Sequence, residues 1–132
     1  MLRVGTVGTS SIMRTIQEAI RLTDGMECRV VYSRTGEQGR AFAAEMGVPE
    51  HCTDYAAMLE RSDLDLIDIA SPNRFHAEQA LAALEHGKHV IVEKPAAVTR
   101  GDVQRLIDAA RANGVYFFEA ITTLFMPQYE AC

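Results

Sequence analysis

Residues 2–13 read LRVGTVGTSSIM, in which a short, largely apolar run passes directly into a glycine-led turn. Beyond the turn, Ile12, Ile16 and Ile20 recur with helical spacing, so a helix is expected there. A strand that leads through a tight loop into a helix is suited to hold a phosphate group, because backbone amides and the positive end of the helix dipole face the loop. The stretch therefore predicts the beginning of an α/β domain with an anion-binding turn at Gly8.

Further apolar, β-branched runs of strand length alternate with segments of helical spacing along the rest of the chain. The five predicted strands are residues 2–7, 26–33, 64–70, 89–93 and 115–118. This alternation predicts a single α/β domain of Rossmann type, a doubly wound parallel sheet with helices on both faces. Functional residues are then expected in the loops that follow the carboxyl ends of the strands.

Composition limits the functional classes. The 132 residues suffice for one domain, and 13 basic against 18 acidic residues give a net charge of −5, which argues against a nucleic-acid partner. The three cysteines, Cys28, Cys52 and Cys132, are widely spaced, so we expect neither a disulfide framework nor a metal site. The N-terminal apolar run is too short for a signal peptide or a membrane span. We therefore expect a soluble, cytoplasmic protein.

The glycine-led loop departs from the standard GxGxxG fingerprint, because Ser10 replaces the second glycine and Met13 the third. Ser10 is still small enough to let a phosphate approach, and its hydroxyl can donate a hydrogen bond. The alternative is an ordinary strand-to-helix turn in which Ser10 or Ser11 is the N-cap. If the loop holds the pyrophosphate of a dinucleotide cofactor, the residues predicted to contact that cofactor are Gly8, Thr9, Ser10, Ser11 and Ile12.

In dinucleotide-binding Rossmann domains, the residues at the end of the second strand determine whether NAD(H) or NADP(H) is preferred. NAD-preferring Rossmann domains carry a carboxylate about 20 residues past the glycine loop, whereas this chain has Ser33-Arg34-Thr35 after Tyr32. A carboxylate would repel a 2′-phosphate, but the two hydroxyls can donate to it and Arg34 can pair with it or stack on adenine. The segment predicts NADP(H) as the preferred cofactor and NAD(H) as the second. The alternative is a solvated Arg34 and a Thr35 that only caps a helix.

Two later stretches, residues 68–76 (DIASPNRFH) and 87–95 (GKHVIVEKP), resemble the [ST]PNxxH and EKP loops of the Gfo/Idh/MocA oxidoreductases. This family is named for glucose-fructose oxidoreductase and inositol dehydrogenase. The resemblance implies that residues 1–126 form an NAD(P)-binding Rossmann domain. Residues 127–132 would begin the connection to the family's C-terminal α+β domain, which we expect this chain to lack.

The same resemblance implies roles for single residues. Glu93 would contact the nicotinamide ribose, and Lys94 would face the substrate hydroxyl or carbonyl, where an ammonium group stabilises negative charge and assists proton transfer. The alternative for Lys94 is an ordinary surface lysine. His76 would lie near the nicotinamide, or would instead cap or pack. The remaining residues implied to line the path of the cofactor are Ser71, Pro72 and Asn73.

The function that follows is hydride transfer between a nicotinamide cofactor and a small-molecule substrate, a sugar, polyol or related hydroxyl or carbonyl compound. A stand-alone NADP(H)-binding or regulatory module without turnover is the rival hypothesis. An S-adenosylmethionine methyltransferase would need a glycine-richer first loop and an acidic residue after the second strand, and this chain has neither. The apolar run 115–126 predicts an exposed patch, and hence a homo-oligomer or a missing C-terminal domain.

Overall fold

The computed structural model describes residues 1–93 and 99–120. Strands and helices alternate along the chain, as the sequence predicts. A 3₁₀ turn, Asn73–Phe75, precedes the fourth helix. The elements are β1 (Leu2–Val7), α1 (Ser11–Arg21), β2 (Met26–Tyr32), α2 (Gly36–Met46), β3 (Glu50–Cys52), α3 (Tyr55–Leu59), β4 (Leu66–Ile69), α4 (His76–Glu85), β5 (His89–Glu93), α5 (Arg100–Asn113) and β6 (Phe117–Ala120).

The strands form one sheet in the order β3-β2-β1-β4-β5-β6, and neighbouring strands are parallel throughout. The chain therefore winds outward from β1 in one direction and then returns to continue from β4 in the other. This order confirms the predicted Rossmann-type sheet. The reversal lies between β1 and β4, where the loops at the carboxyl ends of the strands diverge and leave a crevice.

Helices cover the two faces of the sheet unequally. On one face, α3, α4 and α5 bury side chains of β1, β2, β4 and β5, and Ile67 and Ile69 of β4 lie in the same core cluster as Leu106 of α5. On the other face, α1 and α2 pack over β1 and β2 through Met13 and Phe42. Most buried strand residues are apolar on both faces, as expected where helices cover a parallel sheet, and the polar exceptions are Thr6 in β1 and Asp68 in β4.

Several helix ends have the caps that their local sequence favours. Thr35 is the N-cap of α2, and its Oγ1 accepts a hydrogen bond from the backbone amide of Gln38 at 3.3 Å. Gly47 and Gly114 end α2 and α5 in the left-handed conformation, with φ of 73° and 65°. Gly87 also has a positive φ, one residue beyond the C-cap of α4. These caps provide partners for backbone groups at the helix ends and favour termination of the helices there.

The sequence predicts five strands, whereas the sheet formed by the described residues has six, and the strand that was not predicted is β3. β3 has three residues, lies at the edge of the sheet and is largely exposed, so Glu50–Cys52 shows no apolar pattern. The last strand is Phe117–Ala120, two residues later than predicted, and β2 and β4 are shorter than predicted. Of the apolar run 115–126, the structure describes residues up to 120. Within that part, Tyr116 and Phe118 are 68% and 55% exposed and stack on each other.

One carboxyl group is buried in the middle of the sheet. Asp68 in β4 lies beside Thr6 of β1 and Ile91 of β5, and it is only 6% exposed. Among the described residues, its Oδ1 atom has no hydrogen-bond partner. Burial, and to a smaller degree the carboxylate of Glu93, raise the pKa of Asp68 to about 7. The ionised form of this side chain therefore opposes folding.

The buried carboxyl predicts a pH-dependent stability. In the unfolded chain Asp68 ionises near pH 4, whereas in the folded domain it stays protonated up to about pH 7. Its contribution to stability is therefore present below pH 4 and is lost as the pH rises to 7. Asp68→Asn should raise the free energy of unfolding at pH 8 by about 1–3 kcal/mol and leave it nearly unchanged at pH 4.

Urea unfolding followed by circular dichroism at several pH values measures this difference. Asp24→Asn, at an exposed aspartate, is the matched control and should change stability equally little at both pH values. An Asp68→Asn gain that does not depend on pH would show that the charge of Asp68 is not what destabilises the domain.

Candidate cofactor-binding cleft

A cleft of about 610 Å³ lies at the reversal of the sheet, at the carboxyl ends of β1, β2 and β4. Its walls are the loops that follow these three strands, together with the first turns of α1 and α2. One cation, Arg34, and no carboxylate occur among the described residues of the wall. The lining residues are Val7, Gly8, Thr9, Ser10, Ile12, Tyr32, Ser33, Arg34, Thr35, Gln38, Ala70, Ser71, Pro72, Phe75 and Gln79.

Gly8 fixes the floor of the cleft. Its φ of +115° is one that side-chain-bearing residues rarely adopt, and a Cβ atom there would lie 2.6 Å from the carbonyl oxygen of Ala70. The amide of Gly8 donates to the carbonyl of Tyr32 at 3.0 Å, and the amide of Ala70 donates to the carbonyl of Val7 at 2.9 Å. The ends of β1, β2 and β4 therefore meet at Gly8, and we call this point the Gly8 crossing.

Ser10 follows this crossing as the N-cap of α1. Its Oγ accepts a hydrogen bond from the amide of Met13 at 3.4 Å, which is the helix-cap alternative drawn from the sequence. Ser10 nevertheless lines the cleft, together with Thr9 and Ile12. The capping role and a place on the cleft wall are thus combined in one residue, and the N-terminal end of α1 faces the cleft.

The loop after β2 is held by its own hydroxyl groups. Ser33 is buried, and its hydroxyl donates to the backbone carbonyl of Thr35. The missing side chain of Gly39 makes room for it, because a Cβ there would lie 2.5 Å from the Ser33 hydroxyl. Thr35 in turn caps α2. The hydroxyl of Ser33 is thus used to shape the loop, and Arg34 is its exposed, charged residue.

The loop after β4 carries the second predicted motif. Ser71 and Pro72 line the cleft, and the Ser71 hydroxyl donates to Oε1 of Gln79 at 2.5 Å. His76 is 1% exposed, and its Nε2 lies 2.6 Å from the carbonyl oxygen of Ser71. His76 therefore packs inside the domain, which is one of the two positions considered for it from the sequence. From there it supports the loop after β4 that forms part of the cleft wall. Asn73 lies outside the cleft, in a groove between α4 and α5.

The remaining predicted residues follow β5. Glu93 ends this strand and is partly buried; burial raises the pKa of its carboxyl, and the nearby His76 opposes that shift. Glu93 is not among the residues that line the cleft, and neither is Ser11. Lys94 lies outside the described residues. The structure thus brings together predicted residues of the loops after β1, β2 and β4: Gly8, Thr9, Ser10, Ile12, Ser33, Arg34, Thr35, Ser71 and Pro72.

Sequence reasoning missed several wall residues. Gln38 and Gln79 reach the cleft from the first turns of helices, and Tyr32 reaches it from the end of β2. Phe75 occupies a variable position inside the [ST]PNxxH motif. The signal available for these residues was their position within three residues of a predicted loop or motif, because helix and strand ends at the carboxyl edge of a parallel sheet face the same crevice.

The described residues contain no helix that is long and apolar enough to cross a membrane. In the same part of the chain, no group of three His, Cys, Asp or Glu side chains could hold a metal ion. The polar groups at the cleft are instead hydroxyls, amides and one guanidinium group. Such groups are suited to bind the phosphates and ribose of a nucleotide.

Comparison with known proteins decides the family. The profile of a family described as "Oxidoreductase family, NAD-binding Rossmann fold" matches residues 2–121, which include every described loop of the cleft. The chain belongs to the Gfo/Idh/MocA family. The resemblance drawn from the two motifs is therefore confirmed.

Two relatives show what share of a longer oxidoreductase this chain represents. A scyllo-inositol 2-dehydrogenase (NADP(+)) of Bacillus subtilis is 36% identical over 130 residues, which are 98% of this chain and 40% of the relative. A 1,5-anhydro-D-fructose reductase of Ensifer adhaerens is 39% identical over 116 residues, 87% of this chain and 34% of the relative. The chain thus spans about 40% or less of these relatives.

Solved structures of oxidoreductases also superpose closely on this chain. A 3-ketoreductase from Actinomadura kijaniata, solved with NADP and TDP-benzene, has a TM-score of 0.92 and 32% identity, and the match covers 98% of this chain and 40% of that one. A biliverdin reductase from Synechocystis, solved with biliverdin and NADP+, has a TM-score of 0.89 and 28% identity. Here too the chain corresponds to about 40% of the solved protein.

The crossing at Gly8 predicts a steric effect that can be separated from backbone strain. Gly8→Ala should lower the free energy of unfolding by about 2–4 kcal/mol, because the new methyl group collides with the carbonyl of Ala70 in addition to straining φ. Gly25 also has a positive φ, 86°, but nothing lies within 4 Å of the position of its Cβ. Gly25→Ala should therefore cost only the backbone strain, about 1 kcal/mol.

Chemical denaturation of the two alanine variants measures both costs. Equal losses of stability would show that the approach of Gly8 to Ala70 is not a constraint on the fold.

Proposed function

We propose that this domain binds NADP(H) in the cleft and belongs to an oxidoreductase that transfers a hydride between nicotinamide and a sugar, polyol or related hydroxyl or carbonyl compound. The observation that carries the proposal is the composition of the cleft at the reversal of the sheet. There the Gly8 turn and the N-terminus of α1 meet an exposed Arg34, and no carboxylate occurs among the described wall residues.

The Gly8 turn suits the pyrophosphate of the cofactor. Between Gly8 and Ile12 the chain has no bulky side chain that would keep a phosphate away from the backbone, and the N-terminal end of α1 supplies a partial positive charge. The residues that would hold this group are Gly8, Thr9, Ser10 and Ile12, with Ser71 and Pro72 across the cleft. Ser11 lies further from the wall but adds its backbone amide to the same helix end.

The loop after β2 suits a 2′-phosphate. Because the Ser33 hydroxyl is used within the loop, Arg34 is the principal ligand for that phosphate, and Thr35 supports it as a neighbouring hydroxyl. A guanidinium group pairs with a phosphate through parallel hydrogen bonds. The Bacillus subtilis relative is named as an NADP(+) enzyme, and the ketoreductase structure contains NADP. Both names support the preference for NADP(H) over NAD(H).

Lys94 is the proposed catalytic residue. The nicotinamide ring, when bound, supplies or accepts the hydride. The ammonium group of Lys94 would hold or donate the proton at the substrate oxygen, which stabilises the charge that develops there. Glu93 would contact the nicotinamide ribose, and His76 would support this end of the site through its contact with the Ser71 carbonyl. The names of the inositol dehydrogenase and the anhydrofructose reductase support a polyol or sugar as the substrate class.

The cofactor preference is tested at Arg34. Arg34→Ala should raise the Kd of NADP+ about 10–100-fold, because a charged hydrogen bond to the 2′-phosphate is lost, and should raise the Kd of NAD+ by a clearly smaller factor, because NAD+ has no 2′-phosphate. Arg111→Ala removes the same charge from the exposed end of α5, at the opposite edge of the sheet, and is the matched control.

Isothermal titration calorimetry measures both affinities for the three proteins. A wild-type domain that binds NAD+ as tightly as NADP+, or an Arg34→Ala variant that loses both equally, would contradict the role given to Arg34.

If Lys94 transfers the proton, its replacement should lower the turnover rate much more than it weakens the binding of NADP+. Lys94→Met should lower kcat for reduction or oxidation of a sugar or polyol about 100-fold or more, because proton transfer is lost, and should change the Kd of NADP+ less than about fivefold. Lys94→Arg keeps the positive charge, but a guanidinium group does not exchange its proton near neutral pH, so this variant should bind NADP+ like the wild type and recover little of the rate. NADPH absorbance over a panel of sugars and polyols measures the rate. A Lys94→Met variant with a normal kcat would exclude Lys94 as the proton donor.

A further inference from the structure

Phe75 joins the two sides of the cleft. It ends the 3₁₀ turn after β4 and is partly buried on the cleft wall. The guanidinium carbon of Arg34 lies 5.7 Å from the centroid of its ring, and that of Arg74 lies 4.7 Å from it. Both distances are within the range of a cation–π interaction. One aromatic ring thus contacts a cation from its own loop and another from the loop after β2.

The Arg34–Phe75 contact crosses the mouth of the cleft. Arg34 follows β2 and Phe75 follows β4, and β1 lies between these strands in the sheet. Two strand spacings amount to about 9–10 Å, so the two side chains lean toward each other over the end of β1. Both are wall residues of the same cleft. They are therefore the pair of planar groups that faces any flat ring bound between the two loops.

The separation of the pair nearly matches the thickness of a purine. A ring stacked on both sides needs about 3.5 Å to each neighbour, so the guanidinium and the phenyl ring would have to stand about 7 Å apart. In this structure the distance is 5.7 Å. Arg34 is exposed and has a flexible side chain, so an opening of about 1–1.5 Å requires only a change of its rotamer.

From this geometry we infer that Phe75 is the second wall of the adenine site. The adenine ring enters between Arg34 and Phe75 and exchanges their direct contact for a stack on both of its faces. The inference rests on the proposed function, since it needs an adenine nucleotide in this cleft. Arg74 keeps the phenyl ring in place through its own contact and need not move. Phe75 therefore contributes to affinity for the adenosine half of the cofactor and not to the choice between NADP and NAD.

Adenine lies in the half of the cofactor that 2′,5′-ADP reproduces, so this compound is the probe. Phe75→Leu keeps an apolar side chain of similar volume but removes the aromatic face. The variant should bind 2′,5′-ADP about 5–50-fold more weakly than the wild type, as expected for the loss of one base–aromatic stack. Phe75→Tyr retains the aromatic face and should bind within about threefold of the wild type. Phe118→Leu, at the exposed edge strand β6, is the matched control and should change nothing.

Proton NMR of the bound probe supplies a readout that packing alone would not change. The adenine H2 and H8 resonances should shift upfield in the wild type and in Phe75→Tyr because of the ring current, and this shift should be lost in Phe75→Leu. Saturable binding of 2′,5′-ADP with equal affinity and equal proton shifts in all variants would overturn the role of Phe75 and leave the proposed function intact. No saturable binding of 2′,5′-ADP or NADP+ by the folded wild-type domain would overturn both.

Discussion

The close approach of Gly8 to the carbonyl of Ala70 is the constraint on which the rest of the site depends. It brings the ends of β1 and β4 together at the point where the winding of the sheet reverses. The same glycine donates to the carbonyl of Tyr32 at the end of β2, so three strand ends are tied to one residue. A residue with a side chain would force these ends apart. The turn that leaves this crossing begins α1 and thereby directs the helix N-terminus into the cleft.

A second constraint acts at the end of β2 and decides which groups remain for a ligand. Ser33 fits against the glycine face of α2, and its hydroxyl is used by the backbone of Thr35. Ser33 also donates its amide to the carbonyl of Cys52 in β3, which holds the loop against the edge strand. The loop is thus rigid at its base, and its charged side chain, Arg34, reaches over the cleft toward Phe75. A rigid loop that presents a long cation with an adjustable side chain suits recognition of a phosphate next to a flat base.

Much of this arrangement could be predicted from the sequence, and the exceptions have physical causes. The central strands β1 and β4 are largely buried on both faces and are marked by mostly apolar runs, whereas the edge strand Glu50–Cys52 buries little and leaves no such mark. Gly8 and Arg34 could be placed because each follows a predicted strand directly. The role of the Ser33 hydroxyl within its loop could not be predicted from the sequence, because it depends on tertiary contacts with α2 and β3. Phe75 could not either, because its partner Arg34 is distant in sequence.

The central claim is that the crevice between the ends of β1, β2 and β4 is the cofactor site. Titration of the ¹⁵N-labelled domain with NADP+, followed by heteronuclear NMR, tests it residue by residue. The account predicts that the amides of Gly8, Ser10, Arg34 and Ser71 shift and saturate together, while amides at the opposite edge of the sheet, such as Asp65, stay in place. Shifts confined to another surface, or none up to saturating concentrations, would contradict it.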